Sequence, residues 1–373
     1  MMRLRLIQVL ARLDSGRCGV SDHATALARE LISEYGIETI FIAVNSRDNS
    51  PSSFPLVVCS PENLANVCGQ YAVSGPCSVL VHVSGYGYSP DGVPWKLANA
   101  VREIQDRKNA KIASYFHELF YAGKKVWKKA FWVSYKQKSE VIKIAEKSDA
   151  IYTNTASHAE WIQSRLRSKV SCNVQVLPVF STVGEPLSIC SGKDRNRSMV
   201  VFGLESSRKM SYKILHANEN ALTAIGVHQI IDVGPGCANE KAFTNVAVDR
   251  LGQLSIEDLS SVLLSNLYGF VPHEATSAAK SSILAAYCAY GVIPIMPHSF
   301  YGNIDGLKDG CQVMSLGYAS GCSSIDFDNY SCLSRQWYLK HDIKMHAKKH
   351  AEWVYRNHQL YQNPHCAITV LEK

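Results

Sequence analysis

Chemistry is most concentrated in the stretch Tyr268 to Met296, YGFVPHEATSAAKSSILAAYCAYGVIPIM. A short apolar strand, Leu267 to Val271, leads into a polar loop that closes on Lys280, Ser281 and Ser282, and an Ala-rich helix then runs to Gly291 before a second strand. The first N–H groups of a helix have no partner within it, and its dipole favours negative charge there. A cation and two hydroxyls placed at that start are therefore suited to a phosphate, and a nucleoside diphosphate would fit.

Other residues with chemical potential lie where strands pass into loops. Gly16, Gly19 and Val20-Ser21-Asp22 stand between the first strand and the first helix, where bare backbone approaches a diphosphate closely; the other reading is a tight turn with Ser21 or Asp22 as helix cap. His82 ends a strand in VLVHVSGYGYSPDG, and either faces a ligand at the carboxyl edge or is a buried imidazole bonded to a carbonyl. Tyr86 and Tyr88 either stack on a ligand ring or cover their loop. His117 and Glu118 follow the strand Ile112 to Phe116: a neutral imidazole can donate to a ligand hydroxyl or phosphate, and the carboxylate can orient it, bind ligand hydroxyls or cap a turn.

These residues need a scaffold, and the apolar pattern supplies one. Strand-like runs at Arg3 to Leu10, Glu38 to Val44, Ser78 to His82, Lys111 to Phe116 and Ala150 to Thr153 alternate with helical runs at Ser21 to Tyr35, Trp95 to Lys108, Lys136 to Lys147 and Ala156 to Leu166. This predicts a parallel sheet covered on both faces. A second series follows the polar segment Ser181 to Arg197: strands at Met199 to Phe202, Gln229 to Val233, Val246 to Asp249 and Leu267 to Val271, with helices at Tyr212 to Ala224 and Ile256 to Ser265. The expected fold is α/β, two Rossmann-like doubly wound domains spanning 1–185 and 186–336 and facing a cleft. Residues 337–373 form a helical segment whose Trp337, Tyr338, Trp353, Tyr355 and Tyr361 pack back on the first domain.

Composition narrows the class. At 373 residues with 46% hydrophobic content the chain exceeds a typical single core. No apolar run approaches the roughly 20 residues that span a bilayer, and the N-terminus turns polar too soon for a signal peptide, so a soluble, cytoplasmic protein is expected. The 12 cysteines are scattered without metal-type spacing; neither a metal site nor a cofactor is expected. Lys plus Arg number 39 against 32 Asp plus Glu, and a net charge of +7 fits an anionic substrate or a membrane surface. No arginine-rich block or RNA-binding aromatic signature is present, so no nucleic-acid partner is expected.

Several segments carry a family resemblance. GRCGVSDHATALARELISEYG after the first strand, FHELF at Phe116 to Phe120, SDAIYTNTASHAEWI at Ser148 to Ile162 and the Lys280 to Met296 unit resemble, in order and spacing, the retaining two-domain (GT-B) glycosyltransferases of family 4, the group of sucrose and glycogen synthases. The resemblance implies that Gly19 and its loop touch donor phosphates or acceptor, that His117 contacts the transferred sugar, and that Arg208 and Lys209, or Lys213, clamp the diphosphate. It further implies that Gly234 lies beside the nucleotide. A cation pair at a helix start is otherwise unfavourable. The family's two glutamates, eight positions apart, fall on Ala278 and Ala286, with Glu274 nearby as a substitute.

The function so implied is transfer of a sugar from a nucleotide sugar to a saccharide, lipid-linked or small acceptor, without metal and with retention. Asp22, His82 and Tyr86 would serve the acceptor. Peripheral contact with the inner membrane face would suit the positive charge. The competing readings are a catalytically impaired scaffold and a nucleotide-sugar epimerase.

Overall fold

The computed structural model describes residues 4–14, 16, 18–45, 53–72, 75–107, 110–120, 129–166, 173–238, 241–321 and 325–362. Chain contacts divide it into two compact units, Met1–Leu177 with Ile343–Lys373, and Pro178–Asp342.

The first unit is built on seven parallel strands: β1 (Arg5–Leu10), β2 (Glu38–Ala43), β3 (Leu56–Val58), β4 (Cys77–Val83), β5 (Ala110–Phe116), β6 (Ala150–Thr153) and β7 (Val174–Val176). They lie in the order β3-β2-β1-β4-β5-β6-β7. Helices α1 (Gly19–Tyr35), α2 (Leu64–Ala72), α3 (Trp95–Gln105), α4 (Lys129–Glu146) and α5 (Ala156–Gln163) make the crossovers. Val79, Val81 and Val83 of β4 alternate with Ser78, Leu80 and His82, and the valine face joins Leu97, Val101, Ile104, Val141 and Ile144 in one apolar core. The strand order reverses between β1 and β4, and their following loops touch, since a Cβ on Gly87 would meet Ala11; Asn45, after β2, also donates its Nδ2 to Gly87 O at 2.8 Å.

The second unit has β8 (Asn196–Phe202), β9 (Gln229–Val233), β10 (Ala247–Gly252), β11 (Asn266–Phe270), β12 (Ile293–Met296) and β13 (Met314–Ser315), again all parallel, in the order β10-β9-β8-β11-β12-β13. Its helices are α6 (Glu205–Ala217), α7 (Glu219–Ala224), α8 (Ile256–Ser265), α9 (Ala275–Ala278), α10 (Ser282–Ala289), α11 (Leu316–Gly321) and α12 (Phe327–Tyr338). The last helix, α13 (Ile343–Gln362), belongs to the first unit and packs along α1, where Tyr355 Oη donates to Tyr35 O at 2.8 Å.

The elements differ from the sequence expectation in particular places. The helical run placed at Tyr212 to Ala224 starts at Glu205 and is two helices, because Asn218 leaves the helical region (φ −131°, ψ 30°). The single helix from Trp337 is also two: Trp337 and Tyr338 end α12 inside the second unit, and a break at 339–342 precedes α13. Arg3, Lys108 and the side chain of Tyr361 lie outside the described residues.

Candidate functional site

In the second unit the carboxyl ends of β8, β9 and β11 lead into three turns that meet. Gly203 follows β8, and a Cβ there would come within 3.1 Å of Ile283 at the start of α10. Gly234 and Gly236 follow β9; a side chain on Gly234 (φ +148°) would collide with the Gly203 carbonyl, and one on Gly236 would lie 2.9 Å from Glu205 Oε2. The N-termini of α6 and α10 therefore stand together at the point where the strand order reverses, bringing their first-turn amides and two positive dipole ends to one edge. Ser281 caps α10, its hydroxyl accepting from Leu284 N at 3.3 Å; Ser282 and Lys280 beside it are half-buried. Lys209 is exposed and paired with Glu205 at 2.6 Å.

Arg208 departs from its expected role. It is buried and ion-paired with Asp232 of β9, and its remaining N–H groups donate to the carbonyls of Gly203, Pro235 and Gly236. The guanidinium thus spends its donors on fixing the two glycine turns and does not face an outside phosphate. Asp232, which sequence reading missed, sits level with Val201 on the neighbouring strand, a parallel pairing that brings residues 24 apart into contact. Glu274 is exposed at the start of α9, 3.7 Å from His298 in the loop after β12. His298 was also missed, although its position just past a strand is the signal that picked out His82 and His117.

In the first unit, the loop after β1 is held by the residues chosen from it. The helix begins at Gly19 with Cys18 as N-cap, two residues before the expected start. Ser21 Oγ donates to Arg12 O at 2.9 Å and accepts from Asp14 N, while Asp22 accepts from Gly16 N at 2.7 Å. Burial raises the Asp22 carboxyl above its usual range, opposed by that Gly16 amide. Gly19 has open space around its Cβ position. Tyr86 is exposed, whereas Tyr88 is buried with its hydroxyl bonded to His82 O at 2.6 Å, so it covers the loop.

His82 and His117 require correction as surface-facing groups. Both are buried, in the layer between the sheet and the helices α1 and α13, where Gln8, His82, Tyr115, His117 and Tyr152 meet His23, His346 and His350. Gln8 Nε2 donates to Ala24 O, which turns Gln8 Oε1 toward His82 Nε2 at 2.8 Å. His82 Nε2 therefore carries the proton, His82 Nδ1 accepts, and His117 Nε2–H donates to it at 3.0 Å. The reason is strand alternation: residue 82 points away from the valine face, toward the helices, and His117 continues the line of Tyr115, whose ring stacks on it at 4.5 Å. Burial lowers the pKa of His117 to about 3 and of His350 to about 4, and pushes His23 and His82 well below the usual value, with neighbouring imidazoles opposing protonation further. Glu118, one residue on, is the exposed group at this end of β5.

The two wound parallel sheets define the class as GT-B fold. The chain is similar to an α-glucosyltransferase solved with UDP and a 13-mer DNA containing an HMU base (11% identity, TM-score 0.57, 95% of this chain and 99% of that one). It is similar also to the pneumococcal O-GlcNAc transferase GtfA with UDP and GlcNAc (9%, 0.60, 96% and 99%) and to an Escherichia coli trehalose-6-phosphate protein bound with UDP-2-fluoro glucose (9%, 0.58, 94% and 98%). No protein-family model and no curated protein sequence matches the chain.

One expectation falls with these findings. Nucleic acid was excluded for want of a basic block in the sequence, yet a protein of this fold binds DNA across a match of nearly full length. Contacts to a phosphate backbone come from cations that the fold gathers, which a linear search for basic runs does not register. Among the described residues no helix is long and apolar enough to cross a membrane, and no three His, Cys, Asp or Glu side chains converge to hold a metal ion.

Proposed function

We propose that the chain is a glycosyltransferase that takes a sugar from a UDP-sugar, holding the diphosphate in the second unit and the acceptor at the carboxyl edge of the first. The observation that carries the reading is the meeting of the α6 and α10 starts with the Gly234–Gly236 turn, two positive helix ends around bare backbone. Lys280, Ser282 and Lys209 add side chains to that edge, and Arg208 holds the turns in shape from beneath. Such a site stabilises the charge that develops on the departing diphosphate without a metal. The UDP present in the similar structures supports uridine as the carrier.

The order of the FHELF, SDAIYTN and Lys280 to Met296 segments supports a family 4 relation and retention of configuration. Ala278 and Ala286, at the positions of that family's glutamates, are fully buried, and we assign the sugar or ribose contact to the exposed Glu274 instead. On the acceptor side Glu118, Tyr86 and the Gly19 loop are the accessible groups, and a cytoplasmic enzyme acting on a saccharide, a lipid-linked sugar or a nucleic acid is consistent with them.

Calorimetric titration with UDP and GDP tests the donor site. Lys280→Ala should weaken UDP binding by about 1.5–3 kcal/mol, the value of a hydrogen bond to a charged group. The proposal fails if no nucleoside diphosphate binds or raises the unfolding temperature.

A further inference from the structure

Helix α4 buries one face and leaves the other with an unusual combination of side chains. Ser134, Gln137, Val141, Ile144 and Ala145 face inward. Opposite them Trp132 is 61% and Tyr135 69% exposed, one turn apart, with exposed Lys136, Lys138 and Lys143 around them. Lys143 is paired with Glu140 at 2.7 Å and Lys138 lies 4.7 Å over the Phe120 ring, so cations flank aromatic surface along the helix. The helix is also tied to the β4 loop: Gln137 Nε2 donates to Gly92 O at 2.6 Å and to Gly85 O at 3.2 Å. A Cβ on Gly92 would lie 2.7 Å from the Tyr86 ring and 3.5 Å from Val133, which places Tyr86, itself 53% exposed, beside the turn that carries Trp132. Tyr86, Trp132 and Tyr135 thus form aromatic surface running from the carboxyl edge of the first sheet onto α4.

Isolated large rings on the surface need no partner, but three together with interleaved lysines match a particular ligand chemistry. A single-stranded nucleic acid offers flat bases to stack on the rings and phosphates to meet the ammonium groups; a duplex hides its base faces. A bilayer surface is the weaker fit, since insertion is driven by apolar area and the described part of α4 exposes no large aliphatic side chain, with Val133 and Ile142 half-buried. We propose that this face docks a single-stranded nucleic acid and leads it to the carboxyl edge of the first sheet. The proposal rests on the acceptor reading for where the strand leads, and the docking itself is measured without sugar transfer.

The test is fluorescence anisotropy with a fluorescein-labelled dT20 oligonucleotide over a salt series, on the full chain and two double variants. Trp132→Ala with Tyr135→Ala should weaken binding roughly tenfold or more, the worth of about one stacked base. Lys136→Ala with Lys138→Ala should lower the slope of log affinity against log salt by about 1.4, at about 0.7 per phosphate on a single strand. All four side chains are exposed, and matching thermal unfolding curves verify that the fold is kept. Equal affinity of the ring variant, equal affinity for the dT20·dA20 duplex, or binding to phosphatidylserine vesicles with none to the oligonucleotide would overturn the proposal. A UDP titration of the same preparations reads the donor site independently.

Discussion

The buried imidazoles of the first unit make its stability depend on acid in a calculable way. In the folded chain His117 and His350 titrate near 3 and 4 because they are removed from water, while in the unfolded chain they return to about 6.5. Below about pH 6.5 the unfolded state binds more protons than the folded one, so stability rises with pH across this range and is lost as pH falls; above it the contribution is complete. At pH 5 each of the two withdraws about 2 kcal/mol, from RT ln(1 + 10^1.5), and together roughly 4 kcal/mol, with His23 and His82 adding to the loss in the same direction. Against a usual total of about 5–15 kcal/mol this removes a large fraction of the unit's stability in mild acid. Urea titrations at pH 7.5, 6.0 and 5.0, followed by tryptophan fluorescence and circular dichroism, measure it. His350→Phe, which keeps a ring against Tyr152, should reduce the drop between pH 7.5 and 5.0 by about 2 kcal/mol. A first-unit transition that does not move between those two pH values would refute the reasoning.

Two further outcomes are expected in the second unit. Arg208→Met leaves the Asp232 carboxylate buried without its partner and should cost about 3–5 kcal/mol in urea unfolding; a loss below about 1 kcal/mol would show the pair to be solvated. Gly234→Ala drives a methyl group into the Gly203 carbonyl at a left-handed position, and should lower stability by about 1–3 kcal/mol and weaken UDP binding with it, measured by thermal unfolding with and without UDP.

The alternation of apolar runs and helical periods made the two wound sheets legible, because strands buried on both faces read as continuous Val/Ile/Leu stretches. Short edge strands did not announce themselves. β3 (LVV) and β7 (VQV) are three residues each and half-exposed, too short for a period to show in the sequence. The break between α12 and α13 was invisible since LKHD at 339–342 contains neither Gly nor Pro; the chain turns there to bury His341 and to begin a helix that serves the other unit. At the site, rules about helix starts and strand ends found the right edge but could not tell which side chains face out. Strand parity relative to α1 and α13 buried His82 and His117, and the Arg208–Asp232 pair depends on the β8–β9 register. The histidine cluster draws on positions as distant as 23 and 350, a separation no local pattern encodes.

The return of α13 to the first unit has a consequence for biosynthesis. When the ribosome has made all of β1 to β7, the sheet face bearing Gln8, His82 and Tyr115 still lacks half its cover, and that half is about 170 residues away in the queue. The second unit, contiguous from Pro178 to Asp342, can close while the earlier one waits as an open template. A nascent chain arrested before residue 343 would therefore carry a finished module behind an unfinished one, and would be the form in which chaperones and proteases find it.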